Sequence, residues 1–199
     1  MINRIVAVAA LVPVMLGTTA GGVPAHSPAP KTTAAVTLTY DASGAGQQWA
    51  DAVEKAAQNW NAAVHNVQLK PASSPGAADY VYKATNGWPQ STLGPILPGS
   101  GGGEVQLGQE AVNEGYDLAR VATHETGHIL GLPDDYEGPC SEIMSGHGPG
   151  PSCTNDKPNE AEAAQVDQNY AGAGVAAARK KGHQVVIDVW RAPAAASAR

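Results

Sequence analysis

The chain has 199 residues, of which 43% are hydrophobic and 15% charged, with 23 Gly, 15 Pro and a formal net charge of −6. That length suffices for one domain with a core and, once a leader is set aside, is too short for two; the low charge and the many glycines and prolines describe a loop-rich protein. The acidic balance, with Arg179-Lys180-Lys181 as a short basic run near the end, excludes counterion-release binding to nucleic acid, and no apolar run reaches the roughly 18–20 residues of a bilayer-spanning helix, so neither nucleic acid nor membrane is an expected partner.

Residues 1–4 carry one positive charge, residues 5–16 form an unbroken apolar run, and Gly17-Thr18-Thr19-Ala20 follows. This is the three-part pattern of a secretory signal peptide, with cleavage after Ala20 or Ala25; Pro13 speaks against a buried N-terminal helix. Residues 1–25 are therefore read as a signal peptide and 26–35 as a Pro-rich linker or short propeptide. Residues 36–170 are read as the folded domain, and 171–199 as an extension of unassigned role. Val36 to Tyr40 alternates apolar and polar residues, which predicts a strand, and Asp41-Ala42-Ser43-Gly44 predicts a turn. Trp49, Val53, Ala56, Trp60 and Val64 recur at helical spacing and predict a helix over 47–64, with both tryptophans in the core. Short strands are predicted at 67–70, 80–84 and 104–107, separated by Gly/Pro/Ser stretches.

The next helical pattern covers residues 116–130, with Leu118, Val121, Ala122, Ile129 and Leu130 as apolar contacts and Gly131 as its stop. It contains His124-Glu125-Thr126-Gly127-His128. Four helical residues advance one turn plus about 40° and roughly 6 Å along the axis, so both imidazoles project from one face and can converge on one zinc ion. Glu125, about 100° round from His124, lies beside such a metal, where its carboxylate can take a proton from water. Two surface histidines on a helix are the alternative, but the following residues favour the metal. Gly131 turns the chain, Leu132-Pro133 leads into Asp134, and a ligand from that returning segment makes three, leaving a fourth position open. Met144 follows in Ser141-Glu142-Ile143-Met144-Ser145-Gly146.

In an exported protein Cys140 and Cys153 are most simply a disulfide, and two buried thiols are the alternative; their spacing is too wide for a zinc-binding cysteine pair. A helix is predicted over 161–170 behind Asn159-Glu160, a strand is compatible with 185–190, and 192–199 reads as disordered. His147 and His183 are expected in solvent, and His65 on the polar side of the first helix. Strand, helix, several strands, then helices is an α+β pattern.

The motif with its glycine, third ligand and later methionine resembles the metzincin arrangement of zinc proteases. His124 to Tyr136 (HETGHILGLPDDY), Gly138 to Gly146 and Pro149 to Asn155 together resemble the snapalysin family of small secreted bacterial metalloproteases, a likeness covering roughly residues 36–169. The resemblance implies a small metzincin-like α+β domain: a twisted mixed sheet, a long N-terminal helix, an active-site helix and a C-terminal helix. It further implies a secreted, monomeric zinc endopeptidase acting on proteins or peptides, with one catalytic zinc on His124, His128 and Asp134 and Glu125 as general base. Also implied are a Cys140–Cys153 disulfide bracketing the turn of Met144, an apolar floor made by Met144 beneath the metal, and a preference for an aromatic residue just after the scissile bond. Tyr136 would donate to the developing oxyanion. Asp117 matches a position linked to calcium, although one carboxylate is few for an ion that takes six to eight oxygens. Asp135 departs from the family, where histidine is usual. A shallow cleft beside a sheet edge would receive an extended peptide. A zinc-holding protein that captures a partner without catalysis is the rival reading, and Glu125 argues against it, because simple binding has no use for a base there.

Overall fold

Strand β1 (Val36–Gly44) alternates as its sequence demands, with Leu38 and Tyr40 buried and Thr37 exposed. The computed structural model describes residues 34–74, 76–172, 175 and 187–189, so the leader reading of residues 1–33 and the placement of His183 lie outside it. β1 pairs in parallel with β2 (Val67–Pro71) on one side and β3 (Tyr80–Thr85) on the other. β5 (Gly103–Gly108) adds in parallel to β3, while β4 (Gln90–Thr92) runs antiparallel to β5 and β6 (Ile187–Val189) antiparallel to β4. The order β2-β1-β3-β5-β4-β6 makes one mixed sheet of an α+β fold.

Parallel neighbours need a crossover, and α1 (Ala50–Ala63), entered through a 3-10 turn at Gln47–Trp49, supplies it between β1 and β2. Trp49, Val53, Ala56, Trp60 and Val64 are all buried, as their spacing predicts. They pack with Leu38, Val67, Leu69, Tyr80, Tyr82, Val105 and Leu107 from the strands. α3 (Leu118–Ile129) lies against α1 and beneath β4 and β5. α4 (Glu160–Tyr170) starts at a capping box of Asn159 and Glu162 and ends with the Tyr170 hydroxyl donating to Ile96 O at 2.8 Å. Among the described residues no helix is long and apolar enough to cross a membrane.

Four features differ from the sequence reading. The turn expected at Asp41 to Gly44 is the irregular end of β1: the Asp41 carboxylate accepts the Ser43 N–H at 2.8 Å, and the pairing with β3 shifts register there. His65 lies beyond α1, whose C-cap Val64 is already extended, and its Nδ1 is 3.0 Å from Asp167 Oδ2 on α4. β4 and the five-residue α2 (Gln109–Asn113) have no counterpart among the predicted elements. Both are too short for a period to register, and β4 is held by tertiary pairing, Gln90 opposite Gln106 and Ser91 opposite Val105.

Candidate metal centre

The centre is built on α3. Its N-cap is Asp117, whose Oδ1 accepts the Arg120 N–H at 2.8 Å, a capping role that accounts for that carboxylate. The helix ends where Gly131, at φ +92°, takes the left-handed conformation. Gly131 N–H donates to His128 O and Leu132 N–H to Gly127 O, closing a Schellman motif that turns Pro133 and Asp134 back toward the helix.

His124, Glu125 and His128 are buried. His124 Nδ1 lies 3.0 Å from Ile143 O and His128 Nδ1 2.8 Å from Leu132 O. A carbonyl only accepts, so both imidazoles carry their proton on Nδ1 and present a lone pair at Nε2. Those two Nε2 atoms are 3.1 Å apart, and Asp134 Oδ1 lies 3.1 Å from one and 3.6 Å from the other. Both Asp134 oxygens are buried without a hydrogen-bond partner, and the three ligand atoms lie within 4.8 Å of one another. Three acceptors meeting at one point repel unless a cation sits among them. Two imidazoles and a carboxylate form a donor set that suits zinc. Asp135 is exposed and its N–H donates to Met144 O at 2.8 Å; it is not part of the cluster, nor is Asp117.

The loop after Asp134 packs against α3. Met144, in a 3-10 turn at Ile143–Ser145, is buried, and its N–H donates to Glu162 Oε1 at 2.8 Å. A Cβ on Gly127 would stand 2.5 Å from Met144 Sδ and 3.2 Å from Trp60, so a larger residue at this point of the His-Glu-Thr-Gly-His run would have to displace the Met144 side chain. Cys140 and Cys153 are joined in a disulfide, with Cα atoms 5.6 Å apart. Tyr136 stacks on His147, ring centroids 4.1 Å apart; this corrects the expectation of a solvated His147, because the aromatic face covers it and leaves it half-buried. Both Tyr136 and His124 flank Gly146, where a Cβ would come within 3.1 and 3.0 Å of their rings.

Sequence reasoning missed three residues that hold this arrangement. Arg120, fully buried, donates from Nη1 to Asn155 O at 2.9 Å and Cys140 O at 3.4 Å. Its Nη2 donates to Ser145 Oγ at 2.8 Å, Gly146 O at 3.1 Å and Glu142 O at 3.2 Å. Burial lowers its pKa, partly offset by Glu162 and Asp117. A charge one turn before His124 on a helix otherwise patterned as buried was a usable signal. Tyr82 donates to Thr126 Oγ1 at 2.7 Å, and Thr126 Oγ1 in turn to Ala122 O at 2.6 Å, with the phenol pKa pushed up to about 12 by burial. Ser91 on β4 donates to Glu125 Oε2 at 2.6 Å; with β4 itself unseen in the sequence, nothing marked it.

Residues 35–173 match the model of the Streptomyces extracellular neutral proteinase (M7) family. The extracellular small neutral protease of Streptomyces sp. (strain C5) is 49% identical over 152 residues, 76% of this chain and 63% of that protein. The protein of the same description from Streptomyces caespitosus is 47% identical over 136 residues, 68% of this chain and 98% of its own length. The matched region thus spans less than two thirds of the strain C5 relative and nearly all of the other. A likeness to high choriolytic enzyme 1, a hatching enzyme zinc-protease from Oryzias latipes, covers 51% of this chain and 46% of that one at 17% identity and a TM-score of 0.39, too low to bear on the chemistry.

Proposed function

This chain belongs to the Streptomyces extracellular neutral proteinase (M7) family, and on that premise we propose that it is a secreted zinc metalloendopeptidase. The observation that carries the reading is the meeting of His124 Nε2 and His128 Nε2 with an Asp134 carboxylate whose two oxygens are buried without a hydrogen-bond partner, with the buried Glu125 alongside. His124, His128 and Asp134 would hold the ion. Zinc bound there supplies a Lewis acid and lowers the pKa of water toward neutrality. The Nδ1 bonds to Ile143 O and Leu132 O keep both rings aimed and their lone pairs available. Glu125 receives the proton of the attacking water and passes it to the leaving amine, so one carboxylate acts as base and then as acid. Tyr136 donates to the developing oxyanion, and Met144 with Gly127 keeps the floor beneath the ligands apolar.

In this reading residues 1–25 direct export and are removed, 26–35 are a linker or short propeptide, and 36–170 are the protease. An aromatic residue follows the scissile bond of preferred substrates, and the enzyme works as a monomer. Export is supported by the relatives, which are described as extracellular. The deciding experiment measures zinc by elemental analysis beside casein cleavage with and without a chelator, for the parent and Glu125→Gln. The expected result is one zinc per chain in both proteins, chelator-sensitive cleavage in the parent, and loss of most turnover in the variant. Zinc without cleavage in the parent would make the protein a metal-holding binder instead, and near-parental turnover in Glu125→Gln would refute the role of the base.

A further inference from the structure

Glu125 raises a problem that its neighbours must solve. A flexible carboxylate next in sequence to His124 is itself a good zinc ligand. As a base it has to stay beside the metal and off it. The convergent ligand atoms belong to His124, His128 and Asp134, and helix geometry sets Glu125 about 100° round from His124, so a contact that fixes its side-chain torsions decides where the carboxylate sits.

Ser91 makes such a contact. Its Oγ donates to Glu125 Oε2 at 2.6 Å, and both residues are buried. A carboxylate only accepts, so the hydroxyl proton belongs to Ser91 and the bond is charge-assisted, the stronger class of hydrogen bond. The donor is firmly seated. Ser91 is paired opposite Val105, and the next residue, Thr92, accepts the Glu104 N–H on its Oγ1 at 3.1 Å. Just beyond β4, Gly94 N–H donates to His128 O at 2.7 Å and Ile96 N–H to Ile129 O at 3.0 Å, so the segment is bonded to the same helix that carries Glu125. β4 is therefore tied to β5 on one flank of Ser91 and to the end of α3 on the other.

We propose that Ser91 is a positioning residue for the reaction: it holds the Glu125 carboxylate in the orientation of a base and keeps it out of the ligand set. The proposal rests on Glu125 acting as the base, and a double-mutant cycle separates the two ideas. Steady-state peptide cleavage is measured for the parent, Ser91→Ala, Glu125→Gln and the double variant, with zinc content and melting temperature for each. Ser91→Ala should retain one zinc per chain and the parental melting temperature within about 3 °C. Its kcat should fall about ten- to a hundredfold, the worth of one hydrogen bond to a charged group, with KM within about twofold of the parent. In the Glu125→Gln background the same change should lower the residual rate by less than about twofold, because Ser91 acts through a carboxylate no longer present. Four results would overturn the proposal: kcat of Ser91→Ala within about twofold of the parent, a loss carried by KM, an equal loss in both backgrounds, or loss of zinc or of fold in Ser91→Ala. High turnover in Glu125→Gln would instead remove the base on which it rests.

Discussion

Replacing Arg120 by methionine keeps an unbranched apolar stem, shorter than the arginine side chain, and removes the charge and all the donors. Asn155 O, Ser145 Oγ and Gly146 O lose the guanidinium donor at 3.1 Å or less, while Glu142 O keeps the Ser145 hydroxyl at 2.7 Å and Cys140 O loses a weaker bond of 3.4 Å. Leaving a buried acceptor unsatisfied costs about 1–3 kcal/mol, but the variant no longer desolvates a guanidinium, and part of the loop can take up water. The net cost for breaking a buried charged network by removing one partner is about 3–5 kcal/mol. For a domain of this size each kcal/mol moves the melting temperature by about 3 °C, so Arg120→Met should melt about 10–15 °C below the parent. The same loop supplies Ile143 O to His124 Nδ1, so zinc affinity should fall as well. Arg120→Lys should recover only part of the loss, since one ammonium cannot reproduce a planar fork that reaches five acceptors. Calorimetric melts of the zinc-loaded proteins, with zinc titration against a competing chelator, read both effects. A melting temperature lowered by less than about 3 °C would refute the view that this buried cation holds the loop from Cys140 to Asn155 in place.

Asp134→Ala should lose tight zinc binding while Asp135→Ala keeps its stoichiometry with at most a modest change in activity; zinc lost from Asp135→Ala and kept by Asp134→Ala would reverse the assignment. Cys140→Ser and Cys153→Ser should each be as destabilising as the double variant, by up to about 3 kcal/mol in denaturant melts, and two reactive thiols in the unreduced, denatured parent would rule the bridge out. At Asp167, burial pushes the carboxyl up, but the N–H groups of Asn66 and His65, with the His65 ring, outweigh it and hold the group below the ordinary carboxylate range. A lowered folded pKa stabilises above the unfolded value and is lost as pH falls through the folded one, so the deficit of Asp167→Asn relative to the parent should be full at about pH 6 and shrink below about pH 4. A deficit that does not change with pH in melts of both proteins would contradict this.

Short-range pattern in the chain determined most of the elements and the ligand spacing. Alternation marks β1, the Trp49 to Val64 stripe marks α1, and a four-residue separation within one helix places His124 and His128 on one face whatever surrounds them. The stop at Gly131 is equally local, because a left-handed residue at a helix end is a property of that residue. Tertiary structure decided the rest, where the meaning of a residue depends on chain far away in sequence. β4 has three polar residues and no period of its own; it is a strand because β5 lies beside it, and only then does Ser91 reach Glu125 across 34 residues. Asp134 and Asp135 are chemically identical, and the spacing after Gly131 points to Asp134 without showing where either carboxylate lies. What selects one for the ligand cluster is the return of the chain after Gly131 and the Asp135 N–H bond to Met144 O. Gly127 reads as a poor helix former until the Met144 sulfur is found where its Cβ would be. The position of Arg120 on a buried helix marks it as unusual, but its five acceptors become visible only when the loop from Cys140 to Asn155 closes around it. Local spacing is set by bond geometry and repeats every turn, whereas convergence from distant segments is set by the packing of the whole domain, and no window of sequence contains it.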